Sequence, residues 1–333
     1  MGEVTVNVSE EHRELIGAIR EMCERVGRAV RPLLGTAVAK GIEGHGASGD
    51  ATFRIDEVAE REVASFMDER GDIAYYTEDR GLTVVGSPEY LLVIDPIDGT
   101  RPAAAGLESC CVSVAAAPFT GNGCGSLTLG DVFLGVVSEI KNDAVFSAVR
   151  GGGTTIEVDG SPVSPRLSGK VDPHSIFWTL GFRGRPAEPL IIVLGELVDL
   201  SSVDGGCFDL GSATFCINRI VTGEMDAYVD VGQRMADEVQ AVRERFLEVG
   251  HGAILNNYPY DLAAAALVAS ESGAVVSDAY GEPLDSYLLV PRDGGGQISA
   301  VISANRQLHQ QVLRYLDRGM KRLVGRYGGP SEE

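Results

Sequence analysis

The chain reads Leu-Leu-Val-Ile-Asp-Pro-Ile-Asp-Gly-Thr at residues 91–100, where an apolar run meets two aspartates and a tight turn. Four consecutive apolar residues predict a strand covered on both faces. Because Pro96 has no N–H for strand pairing, we expect the chain to leave the sheet at Asp95. A turn that joins Asp95 to Asp98 would also free the carbonyl of Ile97, and oxygen ligands of this kind suit Mg²⁺. The stretch therefore predicts a metal site, with an acidic surface turn as the alternative.

A second class of enzyme also ends a strand with aspartates and a Gly-Thr pair. In haloacid-dehalogenase phosphatases the two aspartates are two residues apart, and the first attacks the substrate while the second transfers the proton. Here Asp95 and Asp98 are three residues apart with a proline between them. Because that spacing would misplace the second carboxylate, we interpret Asp95 as a metal ligand and not as a nucleophile.

Further motifs accompany this stretch along the chain, and each is weak when taken alone. Together, and in this order, they resemble the inositol monophosphatase superfamily, the Mg²⁺-dependent and Li⁺-sensitive phosphatases. The motifs are G-D-A-T at 49–52, D-E-V-A-E at 56–60, T-E-D at 77–79, L-G-S-A at 210–213, G-E-M-D-A-Y at 223–228, Y-D-L-A-A at 260–264 and E-S-G-A at 271–274.

The resemblance implies a set of metal ligands on both halves of the chain. They would hold two or three Mg²⁺ ions, which Mn²⁺ could replace, and one ion would lower the pKa of the attacking water. The implied ligands are the side chains of Glu78, Asp95, Asp98 and Asp261 and the carbonyl oxygen of Ile97.

The resemblance also implies catalytic and substrate-binding residues. Asp56 and Thr100 would position and deprotonate the water, with Glu78 acting through its metal; for Asp56, a helix cap is the alternative. Arg101 could reach a second phosphate or could simply be an exposed arginine. The implied substrate-binding residues are Asp98, Gly99, Thr100, Arg101, Gly211, Ser212, Ala213, Asp230 and Asp261.

The implied activity is hydrolysis of a sugar or polyol phosphate, namely inositol-1-phosphate, fructose-1,6-bisphosphate or both. Two alternatives stay open: a 3′-phosphoadenosine 5′-phosphate phosphatase, and a catalytically silent protein that binds a phosphate ligand. The implied fold is an α/β (α+β) sandwich of stacked α-β-α-β-α layers, and the implied assembly is a homodimer or higher homo-oligomer.

Composition limits the partners of the chain. Its net charge of −20, from 48 acidic and 28 basic residues among 333, argues against binding nucleic acid or an anionic membrane. No apolar run reaches the roughly 18 residues of a membrane span, and the first residues resemble no secretion signal. Six cysteines without C-x-x-C spacing fit reduced thiols. We therefore expect a cytoplasmic enzyme of small phosphate esters.

Strand and helix patterns alternate along the chain, which indicates α/β or α+β layering. The segment 160–174 is rich in Ser, Pro and Gly, so we expect it to join an N-terminal half, residues 1–165, to a C-terminal half, residues 166–333. The N-terminal half would carry most metal-binding motifs, and the C-terminal half would carry the residues on the substrate side.

An insert at about residues 231–259 distinguishes the chain from the family that it resembles. It would cover the cleft, contact another subunit or cover the core. Its apolar residues have helical spacing and predict one amphipathic helix; they are Met235, Val239, Val242 and Phe246.

Overall fold

The computed structural model describes residues 9–46, 49–119, 124–291 and 295–328. Nine α-helices lie within these ranges, and none of them is both long and apolar enough to cross a membrane. The helices are α1 Glu10–Val30, α2 Arg54–Arg70, α3 Thr100–Ala105, α4 Ala187–Leu200, α5 Ala213–Val221, α6 Gly232–Glu238, α7 Gln240–Val249, α8 Pro259–Glu271 and α9 Arg306–Tyr327.

The same ranges contain fifteen strands in two large sheets and one small hairpin. The large sheets have the orders β10-β9-β8-β7-β6-β5-β3-β4 and β12-β11-β13-β15-β14, and β1 pairs with β2. The strands are β1 Ile42–His45, β2 Ala51–Phe53, β3 Ala74–Thr77, β4 Gly81–Val84, β5 Tyr90–Asp98, β6 Cys111–Pro118, β7 Leu134–Glu139, β8 Ala144–Val149, β9 Gly153–Val158, β10 Ser161–Val163, β11 Phe177–Leu180, β12 Gly206–Phe208, β13 Ala227–Asp230, β14 Val275–Ser277 and β15 Ala300–Ser303.

Three apolar clusters separate the layers. The first lies between the eight-stranded sheet and helices α1 and α2. The second contains α5 and α8 and lies between the two large sheets. The third lies between the outer face of the five-stranded sheet and helices α4, α6, α7 and α9. The predicted α-β-α-β-α order of layers is therefore confirmed.

Strand β5 continues past the point where the sequence predicts its end. Its residues pair with β6 up to Asp95, the register then shifts, and Asp98 pairs again with Cys111. The expectation that the chain leaves the sheet at Asp95 is therefore wrong. The proline is accommodated because the irregularity removes the residues between Asp95 and Asp98 from the ladder.

One apolar cluster contains residues from both sides of the segment 160–174. The last strand of the first sheet ends at Val163 and the first strand of the second sheet begins at Phe177. Helix α8, from the C-terminal half, nevertheless packs against β5, β6, β7 and β8 of the first sheet. The division into residues 1–165 and 166–333 stays a prediction, because α8 belongs to the C-terminal half by sequence and to the first sheet by packing.

The insert forms two helices and not the one that its spacing predicts. Helix α6 ends at Glu238 and α7 begins at Gln240, and Val239 between them has an extended backbone with φ −133° and ψ 100°. The bend lets apolar residues of both helices enter the same core. All four predicted apolar residues, Met235, Val239, Val242 and Phe246, are buried in the cluster beneath the second sheet.

Helix α9 crosses α4 at a glycine. A Cβ atom built on Gly319 would lie 2.7 Å from the Cα of Val193, closer than real Cβ contacts, whereas one built on Gly325 of the same helix would meet nothing within 4 Å. Only the first glycine is required by packing.

We predict that Gly319→Ala destabilises the fold by about 1–3 kcal/mol, because the helices must separate. Gly325→Ala should instead stabilise it by up to about 1 kcal/mol through helix propensity. Urea unfolding of both variants measures the difference. Equal effects in the two variants would contradict the close crossing.

Candidate functional site

The irregular end of β5 directs two carboxylates to one place. Asp95 and Asp98 are both buried. Gly99 then takes φ 93°, in the left-handed region, and a Cβ there would overlap the carbonyl oxygen of Ser109 and lie 3.0 Å from Ser212 Cβ. Glycine is therefore required for the turn that places Asp98.

A third carboxylate comes from the far end of the chain. Asp261 lies in the first turn of α8 and accepts a hydrogen bond of 2.6 Å from the N–H of Tyr258 at the helix cap. Carboxylate oxygens of Asp95, Asp98 and Asp261 all lie within 4.8 Å of one another. The structure thus brings together three of the four carboxylates that the sequence predicts as ligands.

The fourth predicted carboxylate, Glu78, follows β3. Strand β3 runs parallel to β5, with Thr77 opposite Ile94. The next residues along the two strands are Glu78 and Asp95, so strand register places them side by side. Burial raises the pKa of Asp95 above its ordinary value, and the charge of Glu78 raises it further.

Hydrogen bonds hold one oxygen of each clustered carboxylate. Oδ1 of Asp95 accepts from the N–H of Ile97 at 2.9 Å. Oδ2 of Asp98 accepts from Ser212 Oγ at 2.8 Å and from the N–H of Thr214 at 2.6 Å. Each of Asp95, Asp98 and Asp261 offers one carboxylate oxygen to the cluster, and these oxygens are available as ligands.

Burial and mutual repulsion disfavour the ionised forms of these carboxylates. Burial first, and then neighbouring charge, raise the pKa of Glu78 and of Asp95 well above the ordinary range. Burial and the charge of Asp98 raise the pKa of Asp261 to about 7. Burial also raises the pKa of Asp98 itself. Cations among these groups would stabilise their ionised forms, so the donor set fits a hard divalent metal.

Asp56 and Thr100 form a hydrogen-bonded pair beside this cluster. Oδ1 of Asp56 accepts from Thr100 Oγ1 at 2.8 Å, and its Oδ2 accepts from the N–H of Phe53 at 2.8 Å. Thr100 Oγ1 is also 3.1 Å from the carbonyl oxygen of Ile97. Burial raises the pKa of Asp56 to about 7. Asp56 therefore caps α2 and contacts the site at the same time.

A small cleft opens beside the carboxylates, with a cavity volume of about 50 Å³. The predicted residues Gly211, Ser212 and Ala213 line it at the start of α5. Ser212 caps this helix by accepting from the N–H of Phe215 at 3.1 Å, and its hydroxyl donates to Asp98. One serine therefore orders both the helix and a predicted ligand.

Asp230, predicted to contact substrate, lies behind the cleft wall. Its side chain is fully buried and pairs with Arg185. It also accepts from the N–H of Gly232 at 2.8 Å and from Asn257 Nδ2 at 2.7 Å. Arg185 and Asn257 line the cleft, whereas Asp230 is absent from the lining. A direct substrate contact of Asp230 stays a prediction, and in this geometry its carboxylate orients the arginine.

Arg101, the other predicted specificity residue, is paired. Its Nη2 lies 2.9 Å from Asp50 Oδ1, and its guanidinium stacks 5.2 Å from the ring centroid of Phe53. Asp50 also pairs with Arg183, at 2.6 Å. Sequence reasoning missed Arg183 and Arg185, which line the cleft. Their only signal in the sequence is the arginine pair itself, in Arg-Gly-Arg at 183–185.

Residues 11–321 match the inositol monophosphatase family. The chain belongs to that family. Its members are phosphatases, so this chain is a phosphoric monoester hydrolase, and the prediction of a sugar-phosphate phosphatase is confirmed at that level. The gathered carboxylates agree with the metal dependence of the family.

The chain is also similar to individual proteins. It is 27% identical over 307 residues to a fructose-1,6-bisphosphatase/inositol-1-monophosphatase from Methanothermobacter thermautotrophicus, covering 90% of this chain and 96% of that protein. It is 23% identical to a bifunctional NADP phosphatase/NAD kinase from Methanocaldococcus jannaschii, covering 88% of this chain and 49% of that protein, so it spans about half of that relative's length.

Solved structures share the fold. An IMPase from Thermotoga maritima superposes with a TM-score of 0.65 at 18% identity, covering 94% of this chain and 99% of that one. The extragenic suppressor protein SuhB from Bartonella henselae gives a TM-score of 0.67 at 18% identity, covering 92% and 99%.

We predict opposite effects of Asp95→Asn without and with Mg²⁺. Asparagine keeps the oxygen that accepts from Ile97 but removes one repelling charge. The variant should therefore melt higher than wild type in EDTA, by about 2–4 °C for each kcal/mol gained. The rise in melting temperature on adding Mg²⁺ should shrink. Asp204→Asn, at an exposed position, is the control. A Mg²⁺ response of wild-type size in Asp95→Asn would remove Asp95 from the metal site.

Proposed function

We propose that this chain hydrolyses inositol-1-phosphate and fructose-1,6-bisphosphate, with water as the nucleophile and Mg²⁺ as the metal. The observation that carries the proposal is the meeting of Asp95, Asp98 and Asp261 within 4.8 Å, at the wall of a cleft. The similarity to a fructose-1,6-bisphosphatase/inositol-1-monophosphatase over most of both chains supports the choice of substrates.

The proposed ligands are Glu78, Asp95, Asp98, Asp261 and the carbonyl of Ile97, and they would hold two or three ions. Bound Mg²⁺ would offset the charge of the phosphate oxygens, lower the pKa of the attacking water and stabilise the departing alkoxide. Mn²⁺, which accepts the same oxygen ligands, could substitute. The protein supplies three fixed carboxylates, each with one oxygen held by a backbone N–H group, which belongs to Ile97, Thr214 or Tyr258.

The proton of the water would leave through Thr100 and Asp56. Thr100 Oγ1 donates to Asp56 at 2.8 Å, so this hydroxyl can pass on one proton while it accepts another. With its pKa raised to about 7 by burial, Asp56 can receive that proton near neutral pH. The N–H groups of Gly99 and Thr100, at the start of α3, would bind the phosphate.

The substrate alcohol would lie in the cleft against the start of α5. Gly211, Ser212 and Ala213 line this wall together with Asp98 and Asp261. Asp230 would contribute indirectly, because its carboxylate orients the guanidinium group of Arg185.

A second candidate substrate is NADP⁺. The observation in its favour is the similarity to a bifunctional NADP phosphatase/NAD kinase, which extends over 88% of this chain. In this reaction the same carboxylates would serve, and only the group bound in the cleft would differ.

We also propose that the protein is cytoplasmic and forms a homo-oligomer. Five cysteines are free thiols, as expected in a reducing cytoplasm; they are Cys23, Cys110, Cys111, Cys207 and Cys216. We propose a homodimer or higher homo-oligomer, by analogy with the family. Sedimentation equilibrium of the purified chain tests the assembly, and a monomer at micromolar concentration would contradict it.

A panel of phosphate-release assays tests the function. The substrates are inositol-1-phosphate, fructose-1,6-bisphosphate, 3′-phosphoadenosine 5′-phosphate and NADP⁺, each with Mg²⁺, Mn²⁺ or EDTA. We expect metal-dependent release from the first two and a loss of several orders of magnitude in Asp95→Asn. Faster phosphate release from either nucleotide would identify that nucleotide, and not the sugar phosphates, as the substrate. Release from none of them would favour a silent ligand-binding protein.

We predict that Thr100→Ala lowers kcat by about 10²–10⁴-fold, because the hydroxyl in contact with Asp56 is lost. Thr100→Ser keeps the hydroxyl and should restore most of the rate. Mg²⁺ affinity, measured by the shift in melting temperature, should change little in either variant. A parallel loss of Mg²⁺ binding in Thr100→Ala would assign the threonine a structural role instead.

A further inference from the structure

Two arginines from different halves of the chain converge on one carboxylate at the cleft. Arg101 Nη2 lies 2.9 Å from Asp50 Oδ1, and its Nη1 lies 3.3 Å from Oδ2. Arg183 Nη1 lies 2.6 Å from the same Oδ2. The carboxylate of Asp50 is therefore paired with two guanidinium groups.

Arg183 is the member of this group that faces the cleft. It lines the wall together with Asp98 and Asp261. Arg101 is absent from the lining and stacks on Phe53 instead. A group bound in the cleft would therefore meet Arg183 first.

The backbone of Arg183 is fixed independently of its side chain. Arg185 Nη1 donates to the carbonyl of Arg183 and, at 2.9 Å, to that of Leu255. Gly184 between the two arginines has φ +75°, and a Cβ there would lie 2.7 Å from Leu255 Cβ. The loop is therefore packed, whereas the side chain of Arg183 is 41% exposed. Replacing that side chain should leave the loop in place.

We propose that Arg183, supported by Arg101, binds a second anionic group of the substrate, a phosphate or a pyrophosphate, and that Asp50 occupies this position until the substrate displaces it. The inference rests on the proposed function and specifies its substrate class: phosphate esters that carry another phosphate beyond the one removed.

Charge favours the exchange. A carboxylate carries one negative charge, whereas a terminal phosphate carries up to two and presents three oxygens, which suits two guanidinium groups. The phosphate to be cleaved would lie beside the carboxylates that hold the metal. A second phosphate close to those carboxylates would be repelled unless Arg183 compensated for their charge.

Steady-state kinetics of two arginine variants test the proposal. Arg183→Ala removes the cleft-facing cation. Arg322→Ala is the matched control, because Arg322 is 43% exposed and pairs with Glu196 at 2.8 Å but lies on α9 outside the cleft lining. Inositol-1-phosphate is the substrate that carries a single phosphate. Fructose-1,6-bisphosphate carries a second phosphate, and NADP⁺ carries a pyrophosphate.

In Arg183→Ala we expect kcat/KM to fall about 10- to 100-fold more for a substrate with a second anion than for inositol-1-phosphate, mainly through KM. Arg183→Lys should recover part of the loss, and Arg322→Ala should show no such difference. Of the two substrates with a second anionic group, the one that shows the larger effect identifies whether Arg183 binds a phosphate or a pyrophosphate. Equal losses on all three substrates would overturn the inference and leave the proposed function standing. Absence of turnover in wild type would overturn both.

Asp50→Asn tests the displaced carboxylate. Asparagine keeps the oxygen that accepts from the N–H of Ala51 at 2.8 Å but lacks the competing charge. We expect a lower KM for the substrate with a second anion, relative to inositol-1-phosphate. A higher relative KM would show that Asp50 orients the arginines for binding, and would overturn its assignment as the displaced group.

Discussion

Carboxylates from three separate parts of the chain are held together although their charges repel one another. Two of them lie at the end of β5, one follows the neighbouring strand β3, and the last, Asp261, lies in α8. Hydrogen bonds from backbone N–H groups and from Ser212 hold Asp95, Asp98 and Asp261 in place. Because these donors belong to strand ends and helix caps, the surrounding layers must form before the cluster can form. The fold therefore holds an unfavourable arrangement of charge that a bound metal would relieve.

Several site residues have two roles, which ties local structure to chemistry. Asp56 and Asp261 each accept from the N–H group at a helix cap, and Ser212 is itself a cap. Side chains with such tasks have one favoured orientation, so they reach the site already ordered. This saves the conformational entropy that mobile ligands would lose on binding.

Local patterns in the sequence predict much of the fold. The apolar run at 91–94 lies in a buried strand, and the apolar residues of the insert are buried, as their patterns predict. The turn at Asp159 and Gly160 has the two positive φ angles of a tight hairpin. These features depend on neighbours in the chain, which the sequence shows directly.

Tertiary contacts account for what the sequence did not predict. The irregular register that carries β5 past Pro96 depends on its pairing with β6. The bend at Val239 depends on a core that both insert helices must reach. The role of Arg183 depends on its contact with Asp50, which is 133 residues away in the chain. The motifs around residues 95 and 261 could be found because a known family supplied the spatial link.

The position of α8 has a consequence for synthesis of the chain. The eight-stranded sheet is complete in sequence at Val163, but one of its faces is covered by α8, which ends at Glu271. Roughly a hundred residues must therefore be translated before that face is covered, which takes about 5–20 s at ordinary rates. During this interval the nascent sheet presents alanine- and valine-rich strands to its surroundings. A chaperone that binds apolar strands would have its natural substrate in this intermediate, on the ribosome and not in the finished enzyme.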